Sequence, residues 1–505
     1  MWQRYTFSDF RVIGHYLGDL VLLVAVVMIV PFLVAVIFQE WEPAGRYLRA
    51  VGLALIIGSA MCMMNATPRQ LNRQQALAVV GFAWIVLALI GAIPLFGSGH
   101  YGSYLDALFD SVSGFTSTGA SIISDLDHLS YADNMWRFAM HFMGGLGLVV
   151  VMLSLGLMSG SGSSLYSSEG RDEHVVPNVV QTTRLIARIS LVMVGVFSVI
   201  LIVFCLVAGM EPARAVLHGI WIAISGFMTA GFTPMAENIY YYHSLPMELT
   251  LMVLMLLGGV NFALFAAAWR DKVSEVLRDT ELKTMFLWLL LLVVIGVLAL
   301  SASSSFAGAP SLMRRGLFMI IAAASTTGFS TITADKLAMV VGTGAFFVLA
   351  LAMAAGLSAG STAGGIKLRR LAIIARSVGA TIKQTASPES VRVVSTYRHI
   401  GRRTIDDAMV KEAMTIFALF VAMYAVGALV GVAYGYDSTA AIFDSVAMAS
   451  NGGLSAGIVS SDMPVPLEVL YIGEMWAGRL EFVTLFALIA KIFVSLKPRR
   501  RREGR

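Results

Sequence analysis

Four short segments of the chain share one pattern of residue types, rich in glycine, serine and threonine. Each has an aromatic residue, nine further residues, a glycine, an apolar residue and then a serine or threonine. The segments are residues 109–121, 221–233, 318–330 and 443–455. Their glycines lie 112, 97 and 125 residues apart (231−119, 328−231 and 453−328). The chain therefore contains a unit of about one hundred residues that is repeated four times.

The chemistry that such a segment offers is coordination of a cation by backbone oxygen. A short apolar helix followed by a Thr/Ser-x-Gly turn can place a strip of carbonyl groups inside a membrane, where carbonyl rings replace the hydration shell of a cation. Glycine permits the backbone angles that turn those carbonyls inward. A glycine that merely caps a buried helix is the alternative, and it would be favoured for one copy. Four matched copies favour strips arranged around one axis.

Composition places the chain in a membrane. Hydrophobic residues make up 57% and charged residues 13% of 505 positions, against about 25% charged in soluble proteins, and the mean hydropathy is +0.78. The two cysteines, Cys62 and Cys205, lie inside apolar runs and exclude a disulfide framework. The eight histidines lack metal-ligand spacing, and no hydrolase or metalloprotease motif occurs. We therefore expect a polytopic membrane protein that is not an enzyme, and the net charge of +5 requires no nucleic acid.

Apolar spans of about twenty residues indicate the domain organisation. Two spans, 19–38 and 48–65, follow a polar lead over 1–17 and precede the first repeat. Each repeat then has a first span, a short pore-facing helix with its strip, and a second span. The first spans are 76–96, 185–208, 283–302 and 408–433, and the predicted units are 1–70, 71–180, 181–280, 281–403 and 404–505. Cap-like residues mark the starts of the pore helices at Ser103, Glu211-Pro212, Pro310-Ser311 and Asp437-Ser438.

The distribution of Lys and Arg predicts the orientation in the membrane, because basic short loops stay in the cytosol. The loops after the second spans and the tail 497–505 are basic, whereas 97–136 and 412–478 contain no Lys or Arg. Both termini are therefore expected in the cytosol. Arg314, Arg315 and Lys336, beside the third strip, do not fit this pattern.

The four repeats, the segment Ala-Gly-Ser-Thr-Ala-Gly-Gly-Ile-Lys at 359–367 and Gly-Arg-Leu-Glu-Phe at 478–482 resemble the TrkH/KtrB superfamily of potassium uptake channels. The resemblance covers nearly the whole chain, and the two extra leading spans favour the TrkH branch. It implies an all-α membrane protein with two leading transmembrane helices and four pseudo-symmetric helix–pore loop–helix repeats around one central pore.

The resemblance also implies a K⁺ selectivity filter at the four strips. Glycine at position 119 supports a preference for K⁺ by analogy with relatives that carry serine there. The fourth loop departs from the Thr-x-Gly form, and the count of ten residues from the aromatic residue assigns the filter role to Gly453 and not Gly452. The implied K⁺ site comprises Ser117, Thr118, Gly119, Thr229, Ala230, Gly231, Thr326, Thr327, Gly328, Asn451, Gly452 and Gly453.

The span 349–366 should be a continuous helix, but glycine, serine and threonine interrupt it. Irregular backbone at membrane depth survives only where it is buried in protein or lines water. The resemblance implies an intramembrane gate loop below the filter, and the alternative is a glycine-rich helix packed on a neighbour. The implied gate loop comprises Ala359, Gly360, Ser361, Thr362, Ala363, Gly364 and Gly365.

Arg479 falls within the last predicted span, 471–493, where a charge costs about 2.5 to 3.5 kcal/mol on insertion scales and should face protein or water. The resemblance implies a pore charge beneath the filter that opposes cations or holds the gate loop. Pairing with a carbonyl at a helix end is the structural alternative. Glycine pairs in the second spans, such as 144–145 and 258–259, indicate either close helix packing or pore lining.

The remaining expectations also come from the resemblance. They are K⁺ as the transported ion, no cofactor bound by this chain, a homodimer in the bacterial cytoplasmic (inner) membrane, and a cytosolic TrkA-like ring of nucleotide-binding subunits. The segment 360–367 is not a phosphate loop, because Ile366 follows Gly365 where a lysine is required. A symporter that couples K⁺ to Na⁺ or H⁺ is the alternative, with Glu474, Glu481 and His141 as candidate groups.

Overall fold

The computed structural model of the chain describes residues 4–64, 71–147, 179–269, 273–301, 309–332, 343–388, 393–399 and 402–496. The helices within these ranges are α1 (Phe7–Val27), α2 (Ile29–Ile37), α3 (Trp41–Cys62), α4 (Arg73–Phe96), α5 (Tyr104–Phe115), α6 (Tyr131–Leu146), α7 (Val179–Val207), α8 (Pro212–Phe227), α9 (Leu245–Gly258), α10 (Phe262–Trp269), α11 (Val273–Leu277), α12 (Thr280–Ser301), α13 (Ala309–Ala324), α14 (Thr343–Ala354), α15 (Leu368–Thr385), α16 (Asp407–Ala433), α17 (Ser438–Ala449), α18 (Val465–Arg479) and α19 (Val483–Leu496). A 3-10 turn spans Asn238–Tyr242.

Six helical stretches of the described chain are long and apolar enough to cross a membrane, or seven if the bent pair α9 and α10 counts as one span. They are Phe7–Ile37, Trp41–Cys62, Gln74–Phe96, Gln181–Val207, Thr280–Ala299 and Asp407–Ala433. The first two are the leading helices, and the other four are the first spans of the four repeats. The prediction of an all-α multi-pass membrane protein is confirmed.

The first helix begins earlier than the sequence pattern predicts. The pattern predicts a polar lead over residues 1–17, but α1 starts at Phe7. The Thr6 hydroxyl accepts a hydrogen bond from the Asp9 amide, and the Asp9 carboxylate accepts one from the Thr6 amide at 2.7 Å. This reciprocal capping box satisfies two amides that the first turn leaves without helical partners. The polar residues Thr6 and Asp9 therefore start the helix instead of preceding it.

The pore helices are α5, α8, α13 and α17, and their starts follow the cap signals in the sequence. Ser103 caps α5 through the amide of Asp106, Pro212 is the first residue of α8, and the Asp437 carboxylate caps α17. Ser103 and Asp437 satisfy amides that have no partner within the helix, and Pro212 has no amide proton that needs one. The third pore helix begins at Ala309, one residue before the predicted Pro310-Ser311 start.

The second spans of the first, second and fourth repeats differ from prediction, because none is described as one long helix, whereas the third has the interruption that its glycine, serine and threonine residues indicate. Helix α6 ends at Leu146, α9 and α10 meet at 95°, and a non-helical segment separates α14 from α15. Helices α18 and α19 are separated at Glu481 and Phe482, whose φ angles are +55° and +62°. Arg479 therefore lies at a helix end and not in the middle of a span.

A short hairpin on the chain between α15 and α16 was not predicted. Strand β1 (Thr396–Arg398) pairs antiparallel with β2 (Arg402–Thr404). The hairpin contacts the start of α12, where the His399 imidazole lies 2.9 Å from the Asp279 carboxylate and the Arg398 amide donates to Thr280. Two segments that are distant in the sequence are thereby joined.

Two of the three basic residues that do not fit the charge pattern, Arg314 and Arg315, contact side chains of the second repeat. Arg314 donates two hydrogen bonds to the Glu248 carboxylate, at 2.7 and 2.6 Å, and the Arg315 guanidinium lies 5.1 Å from the centre of the Tyr240 ring. Bidentate pairing neutralises the first charge. Lys336 lies outside the described residues.

A buried ion pair joins the leading helices to the first repeat. The Arg46 guanidinium in α3 donates to both carboxylate oxygens of Asp133 in α6, at 2.7 and 3.0 Å, and to the carbonyl of Pro94 in α4 at 2.6 Å. The Tyr47 hydroxyl donates to the same carboxylate at 2.8 Å. Arg46 and Asp133 are only 6% and 1% exposed. The pair therefore fixes three helices against one another.

We expect Asp133→Ala to lower the free energy of unfolding by about 3 kcal/mol, the lower end of the range for a broken buried pair, because Arg46 keeps the largely exposed Glu42 carboxylate as a partner. Thermal melting of the purified protein in detergent measures the loss. Arg49→Ala is the matched control, since Arg49 lies one turn further along α3 and is exposed. Equal melting temperatures for the two variants would show that the buried pair contributes nothing to stability.

Candidate functional site

The four pore helices end in the same backbone conformation. Two residues before each repeat glycine, the chain enters the left-handed region, with φ angles of +48° to +57°. The next amide donates back to the carbonyl five residues earlier, at 2.7 to 2.9 Å. The left-handed residues are Ser117, Thr229, Thr326 and Asn451. This is the Schellman type of helix end, and because these residues terminate the helices, the repeat glycines are not the helix caps.

The repeat glycines meet in a closed ring. A β-carbon on Gly119 would lie 2.0 Å from the Ala230 carbonyl oxygen of the second repeat, and one on Gly231 would lie 2.2 Å from Thr327 O of the third. A β-carbon on Gly328 would lie 2.6 Å from Gly452 O, and one on Gly453 would lie 2.1 Å from Thr118 O. Each loop thus touches the next, and the fourth touches the first.

Every ring glycine also has a positive φ angle, between +64° and +89°. Only glycine adopts such angles without steric strain. In the fourth loop, the amide of Gly452 makes the same backward hydrogen bond as Thr118, Ala230 and Thr327. Gly453 therefore occupies the position of Gly119 in the ring, as the residue count predicts. The twelve residues of the expected filter lie together around one axis.

A large cavity and a small one lie against this ring. The large one has a volume of about 480 Å³, and all four ring glycines line it together with Arg137 and Asn238. The small one has about 50 Å³ and is lined by Asn451, Arg479 and residues of the loop 359–365. In the loop bordering the large cavity, the Asp125 carboxylate lies 2.7 Å from the His128 imidazole, and this hydrogen bond raises the pKa of His128.

Two buried carboxylates brace the strips of the first and fourth repeats. Asp110 accepts hydrogen bonds from the Ser121 hydroxyl and the Ile122 amide, at 2.9 and 3.0 Å. Asp444 accepts the corresponding bonds from Ser455 and Ala456, at 2.8 and 2.6 Å. Both carboxylates are fully buried. They hold the chain just beyond the ring glycine against its own pore helix.

The second and third strips are held by their neighbours instead. The buried Arg137 guanidinium of the first repeat donates to the Thr233 carbonyl at 3.4 Å, lies 4.0 Å from the centre of the Phe232 ring, and is 3.6 Å from Asp110. The Asn238 side chain accepts a hydrogen bond from the Ser330 amide at 3.0 Å. The outer ends of the strips are therefore tied from repeat to repeat.

The loop 359–365 lines the small cavity and forms hydrogen bonds with several repeats. The Thr362 amide and hydroxyl donate to the Gly258 carbonyl, at 3.2 and 2.8 Å, and the Thr229 hydroxyl lies 3.0 Å from the Thr362 hydroxyl. The Gly364 amide donates to the Thr326 hydroxyl at 2.7 Å, and the Ala359 amide donates to the Glu281 carboxylate at 2.6 Å. The segment is a hydrogen-bonded loop and not a tightly packed helix.

Three cationic side chains form hydrogen bonds with the loop or with residues next to it. Arg479 donates to the Thr362 carbonyl at 3.2 Å and to the Gly144 carbonyl of the first repeat. Lys367 donates to the carbonyl groups of Ala363 and Gly364. Arg370 donates hydrogen bonds to both carboxylate oxygens of Glu481, and its Nη1 lies 3.0 Å from Glu481 Oε1. Arg479 therefore donates to a carbonyl at a helix end, as the structural alternative predicts, and it also contacts the loop and lines the small cavity.

Sequence reasoning identified the ring, the loop and Arg479, but it missed Asp110, Asp444, Arg137 and Asn238. A signal for the two aspartates was present, because Phe-Asp-Ser-Val opens both the first and the fourth segment at 109–112 and 443–446. No comparable signal exists for Arg137 or Asn238, because each contacts a strip of another repeat.

The fold and its glycine ring define a multi-pass membrane protein with four pore-loop repeats around one axis. A model of the TrkH family, described as cation transport proteins, matches residues 46–497. The chain belongs to this family, and the resemblance to the TrkH branch is confirmed.

The relatives span nearly the full length of the chain. The Trk system potassium uptake protein TrkH of Escherichia coli K12 is 28% identical over 502 residues, covering 96% of this chain and 99% of that protein. An uncharacterized cation transporter of Methanocaldococcus jannaschii is 26% identical, covering 97% of both. The crystal structure of the potassium transporter TrkH from Vibrio parahaemolyticus has the same fold, with a TM-score of 0.81 at 24% identity over 95% of this chain and 98% of that one.

We expect Gly453→Ala to destabilise the protein by about 1 to 3 kcal/mol more than Gly452→Ala, because it forces a β-carbon onto the Thr118 carbonyl. At Gly452 the nearest atoms belong to the flexible Met353 side chain, at 2.8 Å. Detergent melting curves and cation uptake into liposomes compare the two variants. If Gly452→Ala proves the more damaging, the alignment of the fourth loop is wrong by one residue.

Proposed function

We propose that this protein conducts K⁺ into the cell through the glycine ring. The observation that carries the proposal is the closed contact of four loops, in which each glycine faces the carbonyl of the next repeat. Rings of backbone carbonyls replace the hydration shell of K⁺ without the desolvation of a carboxylate ligand. Relatives named as potassium uptake proteins, in Escherichia coli among others, support K⁺ as the ion.

The surroundings of the ring favour a cation at its centre. The carbonyl ends of four pore helices point toward it, and each carries the negative end of a helix dipole. Asp110 and Asp444 place buried carboxyl groups behind two of the strips. The membrane potential then drives the ion inward at about 2.3 kcal/mol per charge for each 100 mV.

The loop 359–365 is proposed as the gate. It contacts the first repeat through Arg479 and the second and third through Thr362 and Gly364. The proposed state of the pore is therefore closed, with the charge of Arg479 below the ring.

The proposed setting is the bacterial cytoplasmic membrane with both termini in the cytosol, following the distribution of Lys and Arg. We also propose a homodimer and a cytosolic TrkA-like nucleotide-binding ring as the regulatory partner. Relatives named as members of a Trk system support a multi-component assembly. The partner would act on the loop through Lys367 and Arg370 at the start of α15.

Conduction is favoured over coupled symport by the contacts of one candidate coupling group, Glu481; the other two, Glu474 and His141, are buried without an ion-pair partner among the described residues. Glu481 is paired with Arg370, and His141 is stacked on Phe232 at 4.2 Å between ring centres. A coupling ion would have to break the ion pair of Glu481. Flux of ⁸⁶Rb⁺ into liposomes that contain only this chain tests the function directly, and uptake that requires a gradient of Na⁺ or H⁺ would contradict it.

We expect Gly119→Ser to weaken discrimination between K⁺ and Na⁺, because a β-carbon 2.0 Å from the Ala230 carbonyl displaces a ligand of the ring. Relative Na⁺ and K⁺ uptake measures the effect. Gly195→Ser is the control, because a β-carbon on Gly195 in α7 would meet no atom of another element within 4 Å. Unchanged relative uptake in Gly119→Ser would remove Gly119 from the filter.

We expect Arg479→Gln to increase K⁺ flux, because removal of one charge lowers the Coulomb barrier by an amount on the order of 1 to 4 kcal/mol. The barrier change corresponds to at least about fivefold in rate. Arg479→Lys keeps the charge but loses the fork that bridges two carbonyls, so its flux separates charge from bridging. Normal melting with unaltered flux in Arg479→Gln would exclude a pore role for this residue.

A further inference from the structure

A socket formed by three elements recurs in the first and fourth repeats. In the first repeat, the Ser111 hydroxyl on pore helix α5 donates to the Ala88 carbonyl of α4 at 2.8 Å. The Met140 sulfur of α6 lies 3.6 Å from the same hydroxyl. Gly91 of α4 closes the socket, since a β-carbon there would lie 2.7 Å from the Ser111 oxygen and 3.4 Å from the Met140 sulfur.

The fourth repeat has the same socket with a carboxyl group in place of the thioether. Ser445 lies eight residues before its ring glycine, as Ser111 does, and its hydroxyl is 3.1 Å from the Tyr424 carbonyl of α16. Glu474 lies four residues before Gly478, as Met140 lies four before Gly144. A β-carbon on Gly427 would lie 2.1 Å from Glu474 Oε1 and 2.3 Å from Ser445 Oγ. The internal symmetry thus places Glu474 where the first repeat has methionine.

The socket offers no counter-charge to Glu474. The residue is fully buried, and its only hydrogen bond among the described residues joins Oε1 to the Ser445 hydroxyl at 3.1 Å. The titratable groups around it on the packed elements are the phenols of Tyr424 on α16 and Tyr471 on α18, and the carboxyl group of Asp444 on α17, which interacts with the same Tyr471 phenol. No basic side chain in the described part of the chain forms an ion pair with it.

We infer that Glu474 is a proton-binding site in the membrane interior, and that its carboxylic acid donates the hydrogen bond to Ser445. A carbonyl can only accept, and a serine hydroxyl has one proton to donate. If Ser445 donates to the Tyr424 carbonyl, as Ser111 donates to Ala88, its oxygen must accept from Glu474. The carboxyl group must then carry a proton, and an ionised carboxylate in this apolar socket would be unpaired at a very high free-energy cost.

The proton at Glu474 stabilises the position of the fourth pore helix. It joins α18 to Ser445 of α17, which is bonded in turn to α16. The same pore helix ends at Ala449, and the next residue, Ser450, bonds to the Tyr424 hydroxyl at 2.7 Å. Loss of the proton would place an unpaired charge beside α17 and remove the donor. K⁺ uptake is therefore expected to fall at alkaline pH.

Infrared spectroscopy of the full chain in liposomes tests the protonation directly. The difference between wild type and Glu474→Gln at neutral pH should contain the carbonyl stretch of a protonated carboxylic acid, shifted in D₂O. Glu481→Gln is the matched control, because Glu481 is paired with Arg370 and should instead lose carboxylate bands. If Glu474→Gln loses carboxylate bands, Glu474 is ionised and the proton site does not exist.

The functional arm measures ⁸⁶Rb⁺ flux against pH and rests on the proposed K⁺ conduction. Glu474→Gln keeps a donor for Ser445 but cannot ionise, so it should keep wild-type flux at neutral pH and lose the alkaline decline. Glu474→Met, which copies the first repeat, should also lose the decline. A decline that persists in both variants would overturn the link to the pore helix. If no variant conducts at any pH, the proposed function fails while the infrared result still decides the proton site.

Discussion

The structure depends on one steric constraint, which is that no side-chain atom fits where neighbouring pore loops meet. The β-carbon positions of the four ring glycines lie 2.0 to 2.6 Å from carbonyl oxygens of the next repeat, well inside van der Waals contact. A ring this tight can close only if all four pore helices end at the same depth and in the same backbone conformation. The matched left-handed residues and backward hydrogen bonds at the four helix ends meet that requirement.

The same kind of contact explains why the second spans are broken. β-Carbons on Gly144, Gly258 and Gly478 would lie 1.9, 2.1 and 2.0 Å from the carbonyl oxygens at the ends of α5, α8 and α17. The second helices therefore pack directly beneath the pore helices, and each described helix ends within three residues of this contact. The carbonyls left free at such breaks become acceptors for the loop 359–365 and for Arg479, since Gly258 accepts from Thr362 and Gly144 accepts from Arg479.

The parts of the site that the sequence predicts are those that recur. The glycine spacing, the first spans and the helix caps at Ser103 and Asp437 depend on local patterns, which repeat and reinforce one another. The breaks in the second spans of the first and second repeats are not visible, because their apolar composition continues across them, whereas glycine, serine and threonine mark the interruption at 359–365. Arg137 and Asn238 act on strips about one hundred residues away, and one chain without its fold gives no means of pairing them. The hairpin 396–404 was missed because its strands have only three residues each.

Departures from the fourfold pattern concentrate in the fourth repeat, and they connect it to the others. Asn451, where the second and third strips have threonine, donates one amide hydrogen bond to the Thr118 hydroxyl of the first strip and another to the Met475 carbonyl of α18, both at 2.9 Å. Helix α18 also carries Glu474, and it ends at Arg479, which reaches the loop of the third repeat. A shift of this helix would therefore move the ring, Arg479 and the loop 359–365 together. The fourth repeat therefore joins the ring to the loop 359–365 through one helix.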